Sequence, residues 1–156
     1  MAYTLADLLI RLRVIQESSV KMFEDIANNC SHIDIRISSI ARVFKTEEMR
    51  HVQQCNDLMI ESERHEDTEI PFDIYDKTYS LISEFKNRIY VPQISTVQEL
   101  ISFAYEYEKS TTALLLDIRG RMVRNSSDIA NFSYIAVTQL ILDEQKHTAA
   151  ISIFIK

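Results

Sequence analysis

Glycine occurs once in the 156 residues, and proline and cysteine twice each. A single glycine cannot serve a glycine-rich phosphate loop, a collagen repeat or the many tight turns of a β-sandwich. Two prolines are too few for a disordered linker of that type. Long helices with few breaks are what this composition leaves. The two cysteines, Cys30 and Cys55, form no CxxC pair. That excludes a zinc knuckle, a four-thiolate iron site and a thioredoxin motif, and they read as reduced core thiols rather than a disulfide framework. No apolar run reaches the length of about 18 residues that a membrane-spanning helix requires. Asp7, Arg11 and Arg13 interrupt the N-terminal stretch Met1 to Ile15, against a secretory signal. Basic residues are also short: 17 Lys and Arg face 23 Asp and Glu, for a net charge of −6. Nucleic acid and membrane are therefore not expected partners, and an acidic balance suits a protein that gathers cations. The expected setting is cytoplasmic.

Apolar residues make up 46% of the chain and charged residues 26%, which fits one globular domain spanning residues 1–156. Capping and breaking residues predict four long helices. The first runs from Thr4, an N-cap with Asp7 three residues on, to Asn29; the second from Ile33 to Arg64. The acid-rich run Glu61 to Glu69 reads as a frayed end and solvated loop. Pro71 and Pro92 bracket a connection with a short helix over Asp76 to Tyr90. The third long helix starts at Ser95 or Thr96, where Thr96 and Glu99 form a capping box, and ends between Gly120 and Arg124. The fourth runs from Ser126 or Ser127 almost to Lys156. The expected fold is all-α, an antiparallel four-helix bundle with one long crossover between the second and third long helices.

Two segments carry the chemistry. The second helix contains Glu47-Glu48-Met49-Arg50-His51, and the fourth contains Asp143-Glu144-Gln145-Lys146-His147. Both read acid-Glu-x-x-His. A spacing of three places Glu and His on one helix face, where both can hold the same metal ion. With 13 Glu in the chain, two of four histidines carrying Glu at −3 arises in about 4% of shuffled sequences. Both motifs sit on apolar stripes: Ile37, Ala41, Phe44, Val52, Cys55 and Met59 surround Glu48, while Val137, Leu140, Ile141, Thr148, Ile151 and Ile155 surround Glu144. A carboxylate on such a stripe must pair, protonate or bind metal. No Lys or Arg falls centrally on either. The first helix offers Glu17, flanked by Ile10, Val14 and Val20, with Glu24 on the same face as its rival. The third offers Glu108, flanked by Ile101, Ala104, Tyr105, Leu115 and Ile118. Glu17 precedes Glu48 by 31 residues and Glu108 precedes Glu144 by 36, the pattern of a repeated helix pair. Glu106 is expected to be exposed. Tyr105, Tyr107 and Tyr134 are expected to pack, and His32 and His65 to lie in solvent at helix ends.

On these motifs the chain resembles the ferritin-like superfamily, and within it the rubrerythrin-type proteins. Tyr105-Glu106-Tyr107-Glu108-Lys109 looks like that family's third-helix ligand segment. The resemblance implies two metal ions, iron by preference with manganese or zinc compatible. They would be bridged by Glu48 and Glu144, with Glu17 and Glu108 as terminal carboxylates and one imidazole each from His51 and His147. It implies an oxidoreductase acting on peroxide or dioxygen, an external electron donor such as a rubredoxin-like protein, and a homodimer or higher homo-oligomer. The chain departs from rubrerythrins in having Thr111 where they carry a further Glu, Glu24 where an aromatic is usual, and no rubredoxin domain. Iron oxidation with storage or delivery, and a non-enzymatic helical bundle, are the other readings.

Overall fold

Helices begin where the sequence supplies a cap. The Asp7 carboxylate accepts from the Thr4 N–H at 2.9 Å and the Thr4 hydroxyl accepts from the Asp7 N–H at 3.5 Å, which starts α1 (Leu5–Cys30). Asp34 accepts from the Arg36 N–H at 2.9 Å and starts α2 (Ile35–Ser62). Pro71, at φ −55° and ψ 144°, leads into α3 (Phe72–Asn87), and its carbonyl accepts from the Tyr75 N–H at 2.9 Å. That helix therefore begins a turn earlier than the expected Asp76. Thr96 accepts from the Glu99 N–H at 3.1 Å and starts α4 (Val97–Arg121). The Glu99 carboxylate returns to the Ser95 N–H at 2.8 Å rather than to Thr96, one residue short of a full capping box.

The last helix also differs from expectation. Ser126–Ala130 is a single 3-10 turn, and α5 spans Phe132–Ser152. Asp128 accepts from the N–H groups of Arg124 and Asn125 at 2.8 and 2.9 Å, closing the turn, and Asn131 is extended. The first free donor of α5, the Phe132 N–H, is satisfied by Asp67 at 2.9 Å. This computed structural model describes residues 2–155. Met1, where the N-terminal segment begins, and Lys156, toward which the last helix is expected to run, lie outside the described residues.

The fold is all-α apart from a two-residue antiparallel pair, β1 (Tyr3–Thr4) with β2 (Glu69–Ile70). That pairing gives the acid-rich loop an ordered end that its composition did not announce. Contacts fix the helix directions. Arg13 donates to Asn56 at 2.9 Å and Lys45 meets Glu24 at 3.2 Å, so α1 and α2 run antiparallel. Arg119 donates to Thr138 at 3.2 Å and His147 meets Glu108 at 3.6 Å, so α4 and α5 do the same. The long connection places α3 against α1 and α4. No helix among the described residues is long and apolar enough to cross a membrane.

Two apolar clusters form the core. One gathers Leu5, Leu9, Leu12, Leu58, Ile118 and Ile141; the other gathers Phe23, Ile26, Ile37, Ala41, Leu100 and Ile151. Each long helix contributes to both. Between the clusters, every long helix turns polar residues inward.

Cys30 and Cys55 are both free and buried. Burial pushes the Cys55 thiol up to about 12, and the Cys30 thiol donates to the Ile94 carbonyl at 3.4 Å. In native protein neither thiol should react with a disulfide reagent at pH 8, and both should react once urea unfolds the chain. A thiol titrating before the unfolding transition would mean that the apolar cluster holding it is open.

Candidate metal centre

The inward polar layer comprises Glu48 and His51 from α2, Glu108 from α4, and Glu144 and His147 from α5. None is more than 9% exposed. The i,i+3 spacing does what helical geometry requires: in each motif Glu and His share the inward face. Gln16 and Ser19 complete the layer from α1.

The groups converge on one another. His51 Nδ1 lies 3.1 Å from Glu144 Oε1 and 3.6 Å from Glu48 Oε2, and His147 Nδ1 lies 3.6 Å from Glu108 Oε1. The two imidazole rings are 5.7 Å apart between centroids. These close approaches lack hydrogen-bond alignment. Glu48 Oε1, both oxygens of Glu108, Glu144 Oε2, both nitrogens of His51 and His147 Nδ1 are buried without a hydrogen-bond partner. Such atoms cost about 1–3 kcal/mol each, more when charged, so their number in one layer calls for an absent partner. Two triads form within it, Glu48–Glu108–His147 and His51–Glu108–Glu144. In each, one ligand atom per residue lies within 4.8 Å of the others, about twice a metal–ligand bond of 2.0–2.2 Å. Carboxylate and imidazole together suit iron, manganese or zinc, so the residues fit the ions that the sequence motifs imply.

Electrostatics point the same way. Among the described residues, no Lys or Arg reaches Glu48, Glu108 or Glu144; their charged neighbours are the two histidines. Burial, then Glu48 and Glu144, hold the Glu108 carboxyl well above the usual carboxylate range. Burial opposes charge on His51, but Glu144 and then Glu48 outweigh it and push the imidazole up to about 10. Burial also opposes charge on Glu144, and His51 followed by Glu108 reverses that and holds its carboxyl low. Without a cation, protons on Glu108 and His51 provide the neutralisation.

The acid that leads each motif has a place as well. Asp143, ahead of Glu144, lies 3.1 Å from Nε2 of His51 on the other motif, and Arg50 fixes it at 2.8 Å. Glu47, ahead of Glu48, lies in a group with His51 and His147 and pairs with Arg50 at 3.1 Å. Each leading acid thus stands beside the opposite motif's histidine, on the side away from the carboxylate layer. Outer carboxylates of this kind orient metal-binding imidazoles.

Five of the six ligands expected from the sequence meet in this layer. Glu17 does not: its side chain is 55% exposed and pairs with Arg13 at 3.3 Å on the outer face of α1. Its rival Glu24 is also on the outside, paired with Lys45. The inward stripe of α1 runs through Leu5, Leu8, Leu12, Ile15, Ser19, Met22 and Ile26, and Gln16 falls on it. Gln16 donates to Glu144 Oε1 at 3.4 Å, and Ser19 shares a short hydrogen bond with the Tyr107 hydroxyl. The leucine spacing alone would have located this face; the search for a carboxylate shifted the phase by one residue. Glu108 is common to both triads; the resemblance assigns the bridges to Glu48 and Glu144. Thr111 is buried, but its hydroxyl donates to the Tyr107 carbonyl at 3.1 Å. Glu106 is exposed beside Lys109, and His32 and His65 are exposed, His65 stacking on Phe132.

No family model, curated protein or solved structure matches the chain. The chemistry of the layer therefore rests on its own residues.

Two outcomes follow. In chelator, the native state keeps the His51 proton that the unfolded chain loses near 6.5, so stability should fall as pH rises from about 6.5 toward about 10. Glu108 adds a contribution of the same sign, present at acid pH and lost as pH rises, whereas the contribution of Glu144 is lost as pH falls into the acid range. Saturating Mn(II), which takes the place of the proton on His51, should flatten the slope above pH 6.5 in urea midpoints. A flat slope in chelator would mean that His51 is uncharged in the fold. Second, Glu17→Ala should leave metal stoichiometry unchanged and cost at most about 0.5 kcal/mol, the worth of an exposed i,i+4 pair. Metal lost from this variant on elemental analysis would return Glu17 to the ligand set.

Proposed function

We propose that the chain is a non-haem di-metal carboxylate oxidoreductase, with iron as its resident metal and peroxide or dioxygen as its oxidant. The fold reading that goes with it is a single ferritin-like domain: α1, α2, α4 and α5 as the four-helix bundle and α3 within the crossover. One observation carries the proposal: five buried Glu and His side chains from three helices converge with orphaned polar atoms and no basic partner. A structural salt-bridge network would have placed Arg or Lys in that layer.

Glu108 joins the two halves of the site, with Glu48 and His147 on one side and Glu144 and His51 on the other. Two redox-active ions held there would supply Lewis-acid polarisation of the oxidant and a shared two-electron change. Asp143, clamped by Arg50, orients the His51 ring and keeps Nδ1 facing Glu144. Gln16 donates to Glu144 and limits its rotation. The apolar clusters on both sides exclude water from the layer. The Tyr107 hydroxyl, hydrogen-bonded to the buried Ser19, offers an O–H for proton delivery from α4. A small external electron donor and assembly into a homodimer belong to the same reading.

Protein reconstituted with Fe(II) should hold two ions per chain by elemental analysis, and hydrogen peroxide should oxidise both. Glu48→Ala and Glu144→Ala should each lower the stoichiometry and abolish the oxidation, because each removes a carboxylate from one triad. Glu106→Ala, altered on the exposed face, should do neither. One ion or none in the parent protein, or a Glu144→Ala variant that keeps both ions and the reaction, would overturn the dinuclear reading.

A further inference from the structure

α2 and α5 come together at the metal layer, where Arg50 meets Asp143 and His51 meets Glu144. Beside it a cavity of about 860 Å³ opens between them and the start of α4. That volume lies within the range of small-molecule sites. The cavity has two unlike ends. Toward the helix termini it is walled by Ile40, Val43, Ile101, Ile151 and Phe154. Val43 and Phe154 are 61% and 59% exposed, so this apolar wall is uncovered. The inner end is bounded by His147, one of the five layer residues, and by Glu47, Arg50, Asp143 and the exposed Lys146. Arg50 is already paired with Glu47 and Asp143. Among the described residues lining the cavity, Lys146 is the cation that no carboxylate pairs.

We infer that this cavity is the substrate site of the metal centre and takes an apolar chain ending in a single negative charge, of the medium-chain carboxylate class. Three observations select that occupant. The lining is apolar along one end and charged at the other, so an amphiphile fits and a uniformly polar molecule does not. The unpaired charge at the inner end is positive. Length agrees: residues 143 to 154 of the chain, which line the cavity from end to end, cover about 16 Å at a helical rise of 1.5 Å per residue. The word substrate rests on the metal-centre reading; the ligand site itself does not.

Calorimetric titration of the purified full chain with dodecanoate, below its micellar concentration, tests the inference, with metal content measured on the same sample. Saturable binding at one site per chain is expected. Lys146→Glu should weaken dodecanoate about tenfold while leaving dodecanol unaffected. Ala150→Trp, which fills the cavity from α5, should weaken both by at least about tenfold. Val43→Trp makes the same test from α2, and thermal melting checks that each variant folds. Dodecanol binding as tightly as dodecanoate to the parent protein would overturn the anionic end. If a protein that holds two ions fails to bind dodecanoate, the cavity assignment falls while the metal reading stands. Binding by protein that cannot hold two ions would keep the ligand site and overturn its tie to the centre. A parent dimer that Ala150→Trp converts to monomer, with no dodecanoate bound, would show that a second copy of the chain covers this face and would overturn the proposal.

Discussion

Three carboxylates held in a dry layer between two apolar clusters set the terms for everything else in this molecule. Two unit charges about 4 Å apart repel by about 4 kcal/mol even at an effective dielectric of 20. Glu48, Glu108 and Glu144 cannot escape that repulsion by rotating into solvent, because the clusters on both sides hold the helices in register. The fold must therefore import positive charge. Protons supply it on Glu108 and His51 when nothing else does, and divalent cations would supply more of it. Helices packed for stability alone would fill this layer with apolar side chains, as they do in the clusters on either side.

The second consequence concerns how the two helix pairs are joined. Within each pair the antiparallel packing is extensive, and α2 meets α5 at the polar layer. There the leading acid of one motif reaches the histidine of the other, and Arg50 bridges Glu47 and Asp143 across the two helices. The acid-Glu-x-x-His pattern thus has a physical reason for its first position. That acid does not join the carboxylate layer; it stands beside the opposing imidazole, Asp143 at 3.1 Å from Nε2 of His51. A motif read one helix at a time shows a ligand pair, and only the facing helix shows what the preceding acid does.

What the sequence disclosed and what it concealed follow the same logic. Helices dominated by strong caps and long apolar stripes were legible: Thr4, Asp7 and Thr96 act where expected, and the inward faces of α2, α4 and α5 carry the residues read as candidate ligands. The phase of α1 was not, because Glu17 was chosen for its charge while the true inward residues, Gln16 and Ser19, are neutral and carry no metal-binding signature. The Ser126 region misled for a different reason. Asp128 satisfies two backbone donors locally and Asp67, 65 residues away in sequence, caps α5. A cap supplied from another loop has no local signal. The pairing of Glu69–Ile70 with Tyr3–Thr4 was hidden likewise, since neither segment carries a strand pattern of its own.

The neutrality of α1 also gives the site a direction. Gln16 and Ser19 close the layer on that side with hydrogen bonds rather than charge, and α1 packs so extensively on α2 that nothing enters there. Glu108, on α4, is fully buried. The separation of α2 and α5 leaves His147, the most exposed of the five groups, as the one that borders open space. A symmetrical ligand set would have made both faces equivalent. With a carboxylate missing on the α1 side, negative charge is concentrated on α2, α4 and α5. Through His147 the layer borders the cavity, the face where an apolar wall and an unpaired lysine stand.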